Sequence, residues 1–221
     1  MSTQTDSVAA GANAPVRIEV WSDYVCPFCV LEEPVLDQVR EVYGDDVEIE
    51  WRAYELRPDP VPTLDPDGDY LHSIWARAVY PMADQRGMTL RLPPVQPRSR
   101  LAHEAERFAR EAGHGDAMRR ALFRAFFEDG RDIGRLEVLE DIAREVGLDA
   151  DALRHALDEG THAGAVVADR RMAEEIGIHG VPAMLVARDG APLSEAVLVS
   201  GAQPFETLRK AIETARDPSP D

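Results

Sequence analysis

Apolar residues along this chain follow two periods. Val16-Arg17-Ile18-Glu19-Val20-Trp21 alternates apolar with polar, and so does Val47-Glu48-Ile49-Glu50-Trp51-Arg52-Ala53-Tyr54; both read as strands. Between them Val30, Leu31, Val35, Leu36 and Val39 recur at helical spacing and predict a helix over about 27–42. Pro34 lies inside it and is expected to kink it, and Gly44 is its stop. Two strands joined by one tight helical crossover predict a parallel pair.

The proline-rich run from Arg57 to Pro66 leads out of the sheet and is a candidate domain boundary. From about 67 to 158 the pattern is helical. Tyr70 to about Arg86 is one segment, with Pro81 a candidate break; Leu90 to Pro97 is a loop. Arg98–Ala112, Asp116–Glu128 and Arg135–Val146 follow, the last stopped by Gly147. A shorter helix, Asp149–Leu157, has Asp149 as its expected N-cap. After a helix over about 161–176, strand character returns in Pro182–Ala187 and Glu195–Ser200, with Arg188-Asp189-Gly190 read as a hairpin turn. Gln203-Pro204 opens a last amphipathic helix carrying Phe205, Leu208, Ile212 and Ala215.

The element order is βαβ, a helical block, then αββα. That is an α/β thioredoxin fold interrupted by an all-helical insertion. Residues 16–62 and 160–216 are assigned to the thioredoxin-like domain and 63–159 to the insertion. Residues 1–15 are expected to form a flexible lead-in and 217–221 a frayed tail.

Composition narrows the function. Of 221 residues, 44% are hydrophobic, enough for a real core, and the net charge is −17 with Lys210 the sole lysine. So acidic a surface argues against nucleic-acid partners and against docking on anionic membranes. No run of 18 apolar residues exists, so no transmembrane helix is expected. Residues 1–15 lack the basic and apolar regions of a secretory signal. A cytoplasmic location is the expectation, and in a reducing cytosol a lone cysteine pair is catalytic rather than structural.

That pair is Cys26 and Cys29, in Cys26-Pro27-Phe28-Cys29, where the first strand hands over to the helix. Unpaired amide groups of a first helical turn and the helix dipole favour negative charge, so a thiolate at Cys26 is stabilised there. The thiolate is the form that attacks a disulfide. Pro27 suits the first turn, where a missing N–H costs little. Cys26 is expected to be the exposed nucleophile and Cys29, one turn along, the more buried resolving thiol. Two other readings compete. Free cysteines pack as small hydrophobes, and zinc could bind, although no second Cys pair or His pair supplies the remaining ligands. The redox reading is preferred, and no metal is expected.

Gly180-Val181-Pro182-Ala183 enters a strand through proline, which calls for a reason. A cis Val181–Pro182 bond facing the cysteines would bare the Val181 backbone for pairing with an extended substrate. An ordinary trans turn is the alternative.

Together these features resemble the DsbA-like thioredoxin superfamily. Ser22–Cys29, Glu55-Leu56-Arg57-Pro58, Ala102-His103, Leu122–Phe127, Gly180-Val181-Pro182 and Ser200–Pro204 look like the FrnE-type branch of cytoplasmic thiol oxidoreductases. The resemblance covers about residues 16–215. It implies a redox-active disulfide at Cys26 and Cys29, tuned by Pro27 and Phe28, with a cis, substrate-contacting Val181-Pro182. It also implies disulfide- or thiol-containing proteins or small thiols as partners, and no cofactor beyond a co-substrate thiol such as glutathione. Relatives often carry Trp or His where Phe28 stands; an apolar Phe offers the thiolate no charge. Glutathione-dependent hydroxychromene carboxylate isomerases share the fold but typically carry Ser in place of Cys26. A non-catalytic, chaperone-like module is the remaining alternative.

Three further residues are candidates. Glu19 could be the buried acid beneath the resolving thiol, although pairing with Arg17 on the strand is the favoured reading. His103 could line the groove above Cys26, or simply pack on its helix. Tyr24 could shape the rim, or belong to the core.

Overall fold

A computed structural model describes residues 15–217. The expected lead-in and tail therefore lie, apart from Pro15 and Asp217, outside the described residues. The chain is mixed α/β. Strand β1 (Val16–Ser22) leads through α1 (Pro27–Tyr43) to β2 (Val47–Ala53). Helices α2 (Asp69–Ile74), α3 (Tyr80–Gln85), α4 (Arg100–Glu111), α5 (Gly115–Phe127), α6 (Leu136–Glu145) and α7 (Ala150–Asp158) follow. Then come α8 (Ala163–Glu175), β3 (Ala183–Arg188), β4 (Val197–Ser200) and α9 (Phe205–Arg216).

The four strands form one sheet in the order β2-β1-β3-β4. β1 and β2 run parallel, with Ile18 opposite Ile49, while β3 is antiparallel to both β1 and β4. The alternation in β1 places Val16, Ile18 and Val20 wholly inside, against Leu36 and Val39 of α1 and Leu208 and Ile212 of α9. Each such side chain contributes roughly 1.5–3 kcal/mol by leaving water. The opposite face buries Trp21 with Tyr54, Ala173 and Ile178.

Helix α1 serves two cores, and it runs through Pro34 between them. Residues before the proline, Cys29, Val30 and Leu31, pack with Phe123, Phe126 and Phe127 of α5 in the helical cluster. Residues after it, Val35, Leu36 and Val39, pack on the sheet. The redox pair thus sits where the helical layer meets the sheet.

Pro81 does not break its segment. Trp75–Val79 forms a π-helical turn that joins α2 to α3, so that Pro81 falls in the first turn of α3, where its missing N–H is tolerated. Asp149 caps α7 as expected, its carboxylate accepting from the Asp151 and Ala152 amides at 3.0 Å each.

The β3–β4 connection corrects the hairpin reading. Gly190 does turn, with φ of 76°, but the chain does not re-enter the sheet until Val197. Pro192 lacks the amide a ladder needs, and Leu193–Glu195 coils into a 3₁₀ turn instead. The exit loop after β2 holds a second cis bond, Asp59–Pro60, which the sequence reading did not anticipate.

Candidate active site

The site is built at the end of β1. Asp23 follows the strand directly, is wholly buried, and makes a local turn through its side chain. Its Oδ2 accepts from the Leu56 amide at 2.7 Å and its Oδ1 from the Val25 amide at 3.4 Å. Its main chain holds both cysteines: the Cys26 amide donates to the Asp23 carbonyl at 3.1 Å, and the Asp23 amide donates to Cys29 Sγ at 3.4 Å. Cys26 then serves as N-cap of α1 with extended backbone, and Pro27 opens the helix.

Both cysteines are free thiols. Cys26 Sγ donates to the Val181 carbonyl at 3.5 Å, and the Val181–Pro182 bond is cis. The two segments, 155 residues apart in sequence, therefore meet as expected. Cys26 is not exposed, however; it retains 4% of its surface against 1% for Cys29. The helical layer closes over the start of α1, and the surface Cys26 keeps lines a cavity of about 320 Å³. Pro27, Phe28, Gly180 and Val181 share its wall. The far side is made by Leu64, Tyr70, Ile74, Trp75 and Phe127 from the helical layer. Burial, reinforced by the neighbouring Cys26 sulfur, pushes the Cys29 thiol well above its ordinary pKa.

The three subsidiary candidates fall elsewhere. Glu19 pairs with Arg17 at 3.4 Å and with Arg52 at 3.1 Å on the sheet, and no bond joins it to Cys29. It is a strand residue with cationic neighbours, not the acid beneath the resolving thiol. The acidic residue that touches the pair is Asp23, and it does so through its main chain. Its sequence signal was present, an acidic turn-former between a strand end and a helix start. His103 does not line the cavity; it is buried on α4 with Nε2 3.3 Å from Asp23 Oδ1. Tyr24 is likewise interior, with ring centroids 4.9 Å from His103 and 5.0 Å from Phe123. Its burial raises the phenol well above its usual pKa.

A second buried group braces the same helix. Glu32, one turn past Phe28, is fully buried; its Oε2 accepts from Arg86 Nη1 at 3.1 Å and from the Gln203 amide at 2.9 Å. Arg86, just past α3, also donates to the Leu31 and Gln203 carbonyls. One arginine thus ties α1, the helical layer and the loop before α9. Burial, only partly offset by Arg86, pushes Glu32 up to about 7. The folded chain then holds a proton that the unfolded chain has already released, so this group makes stability fall as pH rises from 4.5 to about 7. Glu32→Gln is expected to flatten that fall by at most about 1.4 kcal/mol per pH unit. Urea midpoints across this window measure it, and an unchanged slope would show that Glu32 titrates as an ordinary carboxylate.

Comparison with known proteins agrees with this geometry. An uncharacterized Bacillus subtilis protein, YwbO, is 37% identical over 175 residues, covering 77% of this chain and 86% of its own. A probable DsbA oxidoreductase from Streptomyces coelicolor superposes with a TM-score of 0.75 at 27% identity, over 93% of this chain and 92% of that one. The cytosolic disulfide reductase DsbM from Pseudomonas aeruginosa shares the fold at a TM-score of 0.66 and 22% identity, over 90% of this chain and 100% of its own, and has also been solved with GSH. No helix among the described residues is long and apolar enough to cross a membrane. The DSBA-like thioredoxin domain matches residues 17–213, and the chain belongs to that family of thioredoxin-fold oxidoreductases.

Proposed function

We propose that this protein is a thiol–disulfide oxidoreductase working through Cys26 and Cys29. The carrying observation is the seat of Cys26: N-cap of a helix, on a cavity wall, 3.5 Å from the backbone of the residue before a cis proline. In the reducing direction the Cys26 thiolate attacks a substrate disulfide. A Cys26–substrate disulfide forms and one substrate sulfur leaves as thiolate, taking up a proton. Cys29 then loses its proton and attacks Cys26 Sγ. The second substrate thiol departs, and the Cys26–Cys29 disulfide holds the oxidising equivalent. Oxidation of a dithiol runs the same steps backwards.

The reading needs no metal or organic cofactor. A small thiol would restore the dithiol, and the GSH-bound structure of DsbM makes glutathione a reasonable co-substrate in a cytoplasmic setting. Substrates at this level are small thiols or the cysteines of proteins.

Cys29→Ser tests it. Without its resolving thiol, the variant is expected to retain a mixed disulfide with one half of oxidised glutathione, visible as a single adduct by intact mass, while wild type releases both halves. Full release by Cys29→Ser at the wild-type rate would refute the scheme.

A further inference from the structure

Three features of the cavity narrow its substrate. The first is access. Cys26 keeps only 4% of its surface, and that surface faces a partly open cavity of about 320 Å³. This matches a small-molecule site and leaves little room for a folded protein to present a cysteine. The second is wall chemistry. Apolar groups dominate: the accessible Phe28, Ile74 and Tyr70 can pack on a flat ring, and the buried Trp75 and Phe127 back the wall behind them. The third is charge. The chain carries 41 acidic residues, yet among the described residues none lines the cavity, and Arg57 is the one charged residue in its wall.

Arg57 also differs from the cations that bind its loop. Arg98 is committed to Asp59 and Arg100 to Glu55. Arg98 further donates to the carbonyls of Arg57 and Val61, both at 3.0 Å, which fixes the loop that carries Arg57. Among the described residues no acceptor takes a hydrogen bond from the Arg57 guanidinium. A cation held on a braced loop and left unpaired, in a protein of net charge −17, offers a local well for an anion in an otherwise repulsive field.

Resting on the exchange chemistry proposed above, we infer that the substrate is a small organic disulfide or thiol that joins an apolar, preferably aromatic, body to a carboxylate. Its sulfur meets Cys26, its ring lies against the aromatic wall and its carboxylate pairs with Arg57. The electron balance is unchanged: the small disulfide takes two electrons and becomes two thiols as Cys26 and Cys29 become a disulfide.

Two aromatic disulfides separate the terms. Dithiobis(nitrobenzoate) carries a carboxylate on each ring; dithiodipyridine is neutral. The readout is the ratio of their second-order rates with the reduced protein. Arg57→Gln is expected to lower that ratio roughly tenfold, the scale of one lost charge-assisted hydrogen bond. Arg57→Lys, which keeps the charge, should stay within about threefold of wild type. An unchanged ratio in Arg57→Gln overturns the inference while leaving the exchange chemistry standing. If Cys26→Ser reacts with either probe as fast as wild type, the exchange chemistry falls and this inference with it.

Discussion

Cys26→Ser is expected to lower the rate of disulfide reduction by roughly a thousandfold or more, because a serine hydroxyl at neutral pH is not a nucleophile toward sulfur. The change should leave the fold intact. A hydroxyl occupies the same nearly closed space and can donate to the Val181 carbonyl as the thiol does. Near-UV circular dichroism and the urea midpoint should therefore match wild type, so that the lost rate reports chemistry alone. The paired expectation concerns pH. Burial holds Cys29 well above its ordinary pKa, and this cause persists when Cys26 is tied up in a mixed disulfide. Cys29 must lose its proton before it can attack, so the resolving step should accelerate as pH rises through the alkaline range. Stopped-flow release of the second thiol follows that step directly. Residual turnover in Cys26→Ser above about one per cent of wild type would place the nucleophile elsewhere.

Much of this arrangement is written in local pattern. Period-two alternation marked β1 and β2, and the helical spacing from Val30 to Val39 marked the crossover, so parallel pairing followed. The cysteine pair and Val181-Pro182 were recognisable because each combines a rare residue with a structural junction. What escaped was set by contacts between distant segments. The cavity beside Cys26 takes its far wall from Ile74, Trp75 and Phe127, and no property of residues 22–30 encodes that wall. Glu32 and Arg86 lie 54 positions apart, and neither looks unusual in its own segment. Glu19 drew attention through its distance from Cys26 in sequence, but strand alternation turned it toward Arg17 and Arg52, while Asp23 sat in the turn that wraps both sulfurs. Pro192 shows the same limit: Gly190 was read correctly as a turn, yet a proline two residues on kept the chain from pairing at once.

The largest stability effect should come from Arg119, which bolts α5 to the redox helix. Its side chain is 1% exposed, donates through Nε to both oxygens of Glu33 at 3.0 and 3.2 Å, and lies over the Trp51 ring at 4.2 Å. Asp116 completes the set from the solvent side. Glu33 sits on α1 beside Pro34, with its pKa raised by burial in spite of Arg119. Arg119→Met removes the compensating charge and leaves a buried carboxylate, at a cost of roughly 3–5 kcal/mol, a large share of the 5–15 kcal/mol typical of a folded protein. The sign with pH follows from Glu33. Its raised folded value means that the native state binds the proton more tightly than the unfolded chain, so stability is lost as pH climbs past the ordinary carboxylate range. Removing the cation widens that window, and the penalty should be larger at about pH 8 than at about pH 5. Replacing both partners, as in Arg119→Met with Glu33→Leu, exchanges an ion pair for apolar contact and should recover most of the loss. Urea denaturation of the two single variants and the double variant yields the coupling between the sites. A double variant no more stable than Arg119→Met would mean that the arginine acts mainly through its contact with Trp51, and that the pairing with Glu33 contributes little.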